Sequence, residues 1–204
     1  MSKAHDMIKS DELKTIMISN INTHRYSIIY TDNCEITFQS GNECFFAPHN
    51  SLLFVERGVQ YSCVLKKVNP QHPPFKRVVL DEEILLSLKD ILVTVYDYKL
   101  NENKIQRTIK DKILRVNAET DHVQLFNNLL RLSHKRKVSL KIAYLISRLS
   151  ISEEILHSVI ISSAFTFTDK VRELVRSNLS RKWRLSMIAD IFNIEEVTVR
   201  KRLG

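Results

Sequence analysis

Three residues near the C-terminus have the types and spacing of a device that reads DNA. Ala189 is small, Asn193 stands four places later, and Val199 six beyond that. A helix-turn-helix needs a small residue in its first helix, so that the second can approach closely. It also needs a tight turn, and Asn tolerates the left-handed backbone better than other non-glycine residues. The spacing predicts helices over Leu185–Phe192 and Glu195–Leu203, joined at Asn193-Ile194, with Ile188, Phe192, Ile194, Val199 and Leu203 on the inner faces. The outer face of the second helix then carries Glu196, Val197, Arg200 and Lys201. Arg200 or Lys201 suits guanine O6 and N7, and Val197 suits a thymine methyl. Arg181, Lys182, Arg184 and Arg202 suit phosphates, which orient a protein on DNA without reading sequence. A solvated basic hairpin of two helices would carry the same charges.

Other chemistries find less support. The seven histidines, His5, His24, His49, His72, His122, His134 and His157, form neither H-x-H nor H-E-x-x-H, and no metal site is expected. No G-x-S-x-G or Cys/His signature points to a nucleophile. Only three glycines occur, Gly41, Gly58 and Gly204, too few for either glycine-rich phosphate loop. The expectation is no enzyme and no cofactor. Cys34, Cys44 and Cys63 are odd in number and lack C-x-x-C spacing, which reads as reduced thiols in a cytosolic protein. No apolar run approaches the roughly 18 residues of a membrane span, and the polar start carries no secretory signal.

The elements that must carry these residues follow from periodicity and charge. The 204 residues carry a net charge of +8, which points to an acidic partner. Residues 1–80 and 81–165 contribute +2 each, and residues 166–204 contribute +4. Strands are expected at Leu13–Ile18, Tyr26–Tyr30, Ile36–Gln39, Ser51–Val55, Val59–Leu65 and Phe75–Leu80, with a long loop in Val64–Pro74. These predict a small antiparallel sandwich or barrel over residues 1–80. From Asp81, acting as an N-cap, Ile84, Leu85, Leu88, Ile91, Leu92 and Val95 recur at helical spacing. Further helices are expected near Asp121–Leu132, Val138–Leu149 and Glu153–Ala164, with Asn101–Lys112 aperiodic between them. Residues 81–165 thus read as a helical layer, and Lys141–Leu149 serves equally as a dimer face or as ordinary core. In residues 166–204, Thr168 is expected to cap a helix Asp169–Leu179 ahead of the helix-turn-helix. The fold class is α+β.

Four segments together resemble the AraC/XylS family of transcription regulators, within it the enterobacterial and vibrio virulence activators of the ToxT and Rns type. They are Ile21-Asn-Thr-His-Arg-Tyr-Ser-Ile-Ile-Tyr-Thr, Leu53-Phe-Val-Glu-Arg-Gly-Val, Phe165-Thr-Phe-Thr-Asp-Lys-Val-Arg, and Leu179–Asn193 continuing into Val197-Thr-Val-Arg-Lys-Arg-Leu. The resemblance implies a cupin-like N-terminal β domain, a helical dimerisation layer and a DNA-binding domain. Its partners would be promoter DNA, RNA polymerase and a second copy of the chain. The family's DNA-binding domain holds two helix-turn-helix units, and this sequence stops at Leu203-Gly204, after the first recognition helix. One unit alone predicts weak DNA binding by a monomer. The alternative is a shortened regulator that dimerises and binds ligand without reading DNA.

The resemblance also implies a small anionic effector, a fatty acid in particular, bound beside the β domain. A carboxylate in an apolar cavity needs cationic or donor partners. His24 matches a ligand-contacting histidine of relatives. Arg77 stands two residues before a family arginine position, which is Val79 here; alternation puts both on one strand face. A different effector, or none, fits that departure equally well.

Overall fold

The computed structural model describes residues 15–97, 107–132 and 134–203. The chain divides into two compact units, Met1–Ser163 and Ala164–Gly204.

The first unit is built on two four-stranded antiparallel sheets. One has the order β1 (Thr15–Asn22), β6 (Gln60–Lys67), β3 (Cys34–Ser40), β4 (Glu43–Ala47); the other runs β7 (Lys76–Leu80), β2 (Tyr26–Tyr30), β5 (Ser51–Val55), β8 (Ile113–Asn117). All five residues of β2 and of β5 are buried, because both faces of the second sheet are covered. Its Ile29, Leu53 and Val55 meet Ile36, Phe38, Cys63 and Leu65 of the first sheet in one core. Its other face turns Tyr26, Ile28, Tyr30, Leu52 and Phe54 toward the helices, where Tyr30 meets Phe126 at 5.9 Å between ring centroids.

Strands β4 and β8 differ from the sequence reading, which assigned neither. Strand β4 follows β3 through a two-residue turn in which Gly41 takes φ 57°, a conformation glycine adopts without steric cost. Strand β8 pairs with β5 from some sixty residues away in sequence, with Leu53 opposite Arg115. Strand β6 extends to Lys67, so the long loop begins only after it. Asn33 pins that loop, its side-chain amide donating to the carbonyls of Asn69, His72 and Pro73 at 2.8, 3.0 and 3.1 Å. Leu13 and Lys14, assigned to the first strand, lie outside the described residues, as do residues 101–106 of the aperiodic Asn101–Lys112, whose end forms a short helix at Ile109–Lys112.

The helices of this unit are α1 (Glu82–Tyr96), the short α2 (Ile109–Lys112), α3 (Thr120–Leu129), α4 (Lys135–Ser147) and α5 (Ser152–Ser163). Asp81 caps α1, accepting from the Ile84 N–H at 2.9 Å. Buried Ile142, Ala143, Leu145, Ile146 and Leu149 make the Lys141–Leu149 run mostly core, and only its outward side remains open. Ser139 on α4 donates to the Ile84 carbonyl at 3.2 Å, and the Tyr26 and Ser158 hydroxyls meet at 3.2 Å. Ahead of α2, Arg107 forms a bidentate ion pair with Glu56, whose side chain is 3% exposed, at 2.6 and 2.8 Å.

The second unit contains α6 (Phe167–Ser177), α7 (Leu185–Phe192) and α8 (Glu196–Leu203). The cap of α6 is Thr166 rather than Thr168. Its hydroxyl accepts from the Asp169 N–H, while the Asp169 carboxylate accepts from the Thr166 N–H at 3.0 Å. That reciprocal box needs its acid three residues after the cap, which only Thr166 provides.

Candidate nucleic-acid interface

The helix pair α7–α8 rests on a small apolar core. Val171 of α6, Ile188 and Ala189 of α7 and Val199 of α8 are buried, with Phe167, Val175, Trp183, Leu185, Phe192 and Ile194 packed around them. Ala189 is 4% exposed and Val199 0%, so the small residue lets the second helix approach and the β-branched one locks it. Asn193 takes φ 50° and ψ 50°, the left-handed conformation the turn demands. The Ile194 N–H donates back to the Ala189 carbonyl at 3.0 Å, closing α7. Phe167 and Phe192 meet edge to face at 5.2 Å, joining α6 to the pair. Leu203, expected on the inner face, is 37% exposed at the end of α8.

With that inner face fixed, Glu196, Val197, Arg200 and Lys201 all lie exposed on α8. Val197 is 71% exposed, an apolar side chain with no packing role in this unit. The charges follow the helix dipole, with Glu196 in the first turn and Arg200, Lys201 and Arg202 in the last. Dipole stabilisation therefore accounts for part of the basic C-terminal turn, but not for Val197. Arg202 is set apart from the outward group: its guanidinium lies 5.4 Å from the centre of the Phe167 ring. Arg181 stacks over Trp183 at 4.8 Å, and the Trp183 indole N–H donates to the Asn178 carbonyl at 3.0 Å. Lys182 and Arg184 are exposed beside them, Arg184 as the residue preceding α7.

The two effector candidates lie apart in the first unit. His24 is exposed in the connection between β1 and β2. Arg77 is exposed on β7 opposite Ile29, five residues further along the chain than His24. The register shows a neighbour that sequence reasoning missed. Arg77, Ile29, Leu53 and Arg115 stand side by side across the sheet, on the face that meets the other sheet. Arg115 donates to the Phe46 carbonyl at 3.0 Å. The charge of Arg77 also acts on Tyr61: burial pushes that phenol up to about 12, Cys63 adds to the rise, and the Arg77 guanidinium opposes it. Only pairing β8 with β5 could have pointed to Arg115. Among the described residues no group of three His, Cys, Asp or Glu side chains is arranged to hold a metal, and no helix is long and apolar enough to cross a membrane.

No family model matches the chain. It is 36% identical over 198 residues to the Escherichia coli DNA-binding dual transcriptional regulator Rns, which covers 97% of this chain and 74% of Rns. It is likewise 36% identical to the HTH-type transcriptional activator CsvR of Escherichia coli, over 97% of this chain and 74% of CsvR. The virulence regulon transcriptional activator VirF of Shigella flexneri is 31% identical over 90% of this chain and 70% of VirF. In three dimensions the chain is similar to ToxT from Vibrio cholerae, with a TM-score of 0.55 at 14% identity, covering 93% of this chain and 70% of ToxT. A ToxT structure bound to (E)-4-(8-methylnaphthalen-1-yl)but-3-enoic acid gives 0.56 at 16% identity. A β domain followed by a buried-core helix-turn-helix, together with this level of identity to Rns, CsvR and VirF, shows that the chain belongs to the AraC/XylS family of transcription regulators, in its virulence-activator branch.

Proposed function

We propose that this protein activates virulence genes by setting α8 into the major groove of promoter DNA. The exposed row of Val197, Arg200 and Lys201 on a helix fixed by Val199 and the Asn193 turn carries this reading. Arg200 and Lys201 read guanine edges, Val197 touches a thymine methyl, and Glu196 borders them. Arg181, Lys182, Arg184 and Arg202 hold phosphates. Two copies, joined through the helical layer of residues 81–165, present two reading helices, and promoter-bound protein contacts RNA polymerase. It works in the cytoplasm, where unpaired thiols such as Cys34, Cys44 and Cys63 persist.

The test is binding to a duplex enriched from a random-sequence pool, followed by fluorescence anisotropy. Arg200→Ala should weaken binding about 5- to 150-fold, the range of one bidentate base contact, and relax preference at one base pair. Arg181→Ala and Lys182→Ala should weaken all sequences alike and flatten the salt dependence by about one unit each. Enrichment of no duplex, or equal binding by Arg200→Ala, would refute the reading.

A small carboxylate effector completes the proposal, with Arg77 and His24 as its polar partners. A guanidinium at the margin of an apolar interior, in one row with Ile29 and Leu53, suits a carboxylate head with an apolar tail. The related ToxT binds a butenoic acid derivative of this kind. Calorimetric titration with medium-chain fatty acids checks it: Arg77→Ala and His24→Ala should each lose heat, and a heat equal to wild type removes that residue from the site.

A further inference from the structure

The most basic part of the chain is not the helix-turn-helix. Residues 122–152 contain six Lys and Arg and no Asp or Glu, whereas residues 166–204 contain nine basic and five acidic residues. All eleven acids of residues 81–165 lie outside that stretch. Its centre is α4, and the structure fixes which side of α4 the charge is on. Val138, Ser139, Ile142, Ala143, Leu145 and Ile146 are buried. Lys137, Lys141, Tyr144 and Arg148 therefore form the outer stripe, at i, i+4, i+7 and i+11, and all four are exposed.

The helix dipole favours Arg148, at the C-cap of α4, but not the lysines of the stripe. The first turn of α4 holds Lys135, Arg136 and Lys137 and no acid, so its cations sit at the positive end of the helix dipole. Lys135 is compensated by Asp81 and Glu83 at 2.9 and 2.8 Å. Among the described residues no ion pair compensates Lys137, Lys141 or Arg148. Compare α8, where the cations occupy the end that the dipole favours.

We infer that the outer stripe of α4 is a second contact for nucleic acid, holding the phosphate backbone of a duplex. The stripe is about 16 Å long at the helical rise, a length of duplex that carries roughly nine phosphates. A symmetric pairing of two copies through this face is disfavoured, because it would set these cations against one another with no acid on the stripe itself to meet them. Tyr144, 55% exposed, and Leu140, 62% exposed, give the stripe an amphipathic ring and an apolar side chain to lie against sugar. At its far end Arg148 lines a recess of about 360 Å³ together with Arg115, His122, Asn117 and Ser150, with Glu119 on the same lining. Arg148 at the mouth of this recess gives the last phosphate a seat. This contact rests on the proposed DNA-binding function and adds affinity without reading sequence.

The test uses the full chain, the enriched duplex and a random-sequence duplex, with affinity measured against salt. Each lost phosphate contact flattens the slope of log affinity against log salt by about 0.9. The variant Lys137→Gln/Lys141→Gln/Arg148→Gln should flatten it by about 2.7 on both duplexes and keep its sequence preference. Between roughly 50 and 200 mM salt, wild type should then lose about 40-fold more affinity than the variant. The same three positions changed to Ala, with an unchanged thermal melt, guard against a folding artefact. A variant with the wild-type slope overturns the inference, while Arg200→Ala still losing the enriched duplex leaves the proposed function standing. A variant that keeps the DNA slope but ceases to float with phosphatidylserine vesicles, or to form dimers, assigns the face to another partner and overturns it equally. If Arg200→Ala also binds like wild type, it is the DNA reading that fails.

Discussion

Replacing Arg107 by Ala should destabilise the first unit severely, and the geometry of its ion pair sets the size of the effect. Glu56 is 3% exposed and both its oxygens are held by one guanidinium, at 2.6 and 2.8 Å. Arg107 also donates to the Asp111 carbonyl. Without it the Glu56 carboxylate stays buried with no cation beside it, a situation that costs about 3–5 kcal/mol. For a unit of this size each kcal/mol lowers the melting temperature by about 2–4 °C, so Arg107→Ala should melt roughly 6–20 °C earlier. Arg107→Lys restores the charge but not the fork, and should fall between. The informative variant is the double change Glu56→Leu/Arg107→Leu. It removes the desolvated carboxylate along with its partner, and should be nearly as stable as wild type. Urea unfolding followed by circular dichroism gives the three free energies, compared at constant m. An Arg107→Ala loss below about 1 kcal/mol, typical of an exposed pair, would refute the reasoning. A double variant as damaged as the two single changes combined would refute it too.

Three further outcomes are expected. In native protein one thiol, the exposed Cys44, should react promptly with Ellman's reagent, and all three in denaturant; burial pushes the Cys34 thiol up to about 12 and raises Cys63 as well, and that keeps both protonated. At Asp81, burial works to raise the carboxyl, but the Ile84 N–H and Lys135 override it and hold it below its ordinary value. Its stabilisation is therefore present at neutral pH and lost as pH falls through that lowered value. Asp81→Asn, which keeps an N-cap, should lower the neutral melting temperature slightly and match wild type in strong acid, whereas Asp81→Ala should cost about 1 kcal/mol through loss of the cap. Asn193→Gly should be neutral or slightly stabilising and Asn193→Val strongly destabilising to the second unit, because φ 50° suits glycine and excludes a β-branched residue; near-ultraviolet melts through Trp183 would check this.

The sequence revealed most where the chemistry is local. Ala189, Asn193 and Val199 lie within eleven residues, and their spacing alone located the turn and both helices. Strands β2 and β5 are legible to the residue because their β-branched and aromatic residues are bounded by the polar breaks at Asp32-Asn33, Asn50 and Arg57-Gly58. Strands β4 and β8 are not. Glu43-Cys-Phe-Phe-Ala is short and mixed, and Ile113-Leu-Arg-Val-Asn abuts a lysine-rich stretch and becomes a strand only through β5. The row from Arg77 to Arg115 was hidden for the same reason, since no local pattern aligns β7 with β8. Thr166, not Thr168, is the cap of α6, because the capping box places its acid, Asp169, three residues after the cap. The charge of α4 escaped because summing residues 81–165 cancelled its cations against acids that lie elsewhere.

The pairing of β8 with β5 also bears on how the chain folds. Strands β2, β5, β7 and β8 meet across separations of some 22 to 66 residues, so their sheet must close long loops before its contacts form. Until residue 117 has left the ribosome, β5 has an open edge carrying one of the most apolar segments of the chain, Leu52-Leu-Phe-Val. The helices of residues 164–204 meet across separations of at most some 35 residues, as between Phe167 and Arg202, and should fold faster. Residues 164–204 are made after all eight of these strands, and closure of the two sheets sets the pace at which the first unit is completed. A synthesis rate that outpaces it should send the protein to aggregates through that uncovered edge.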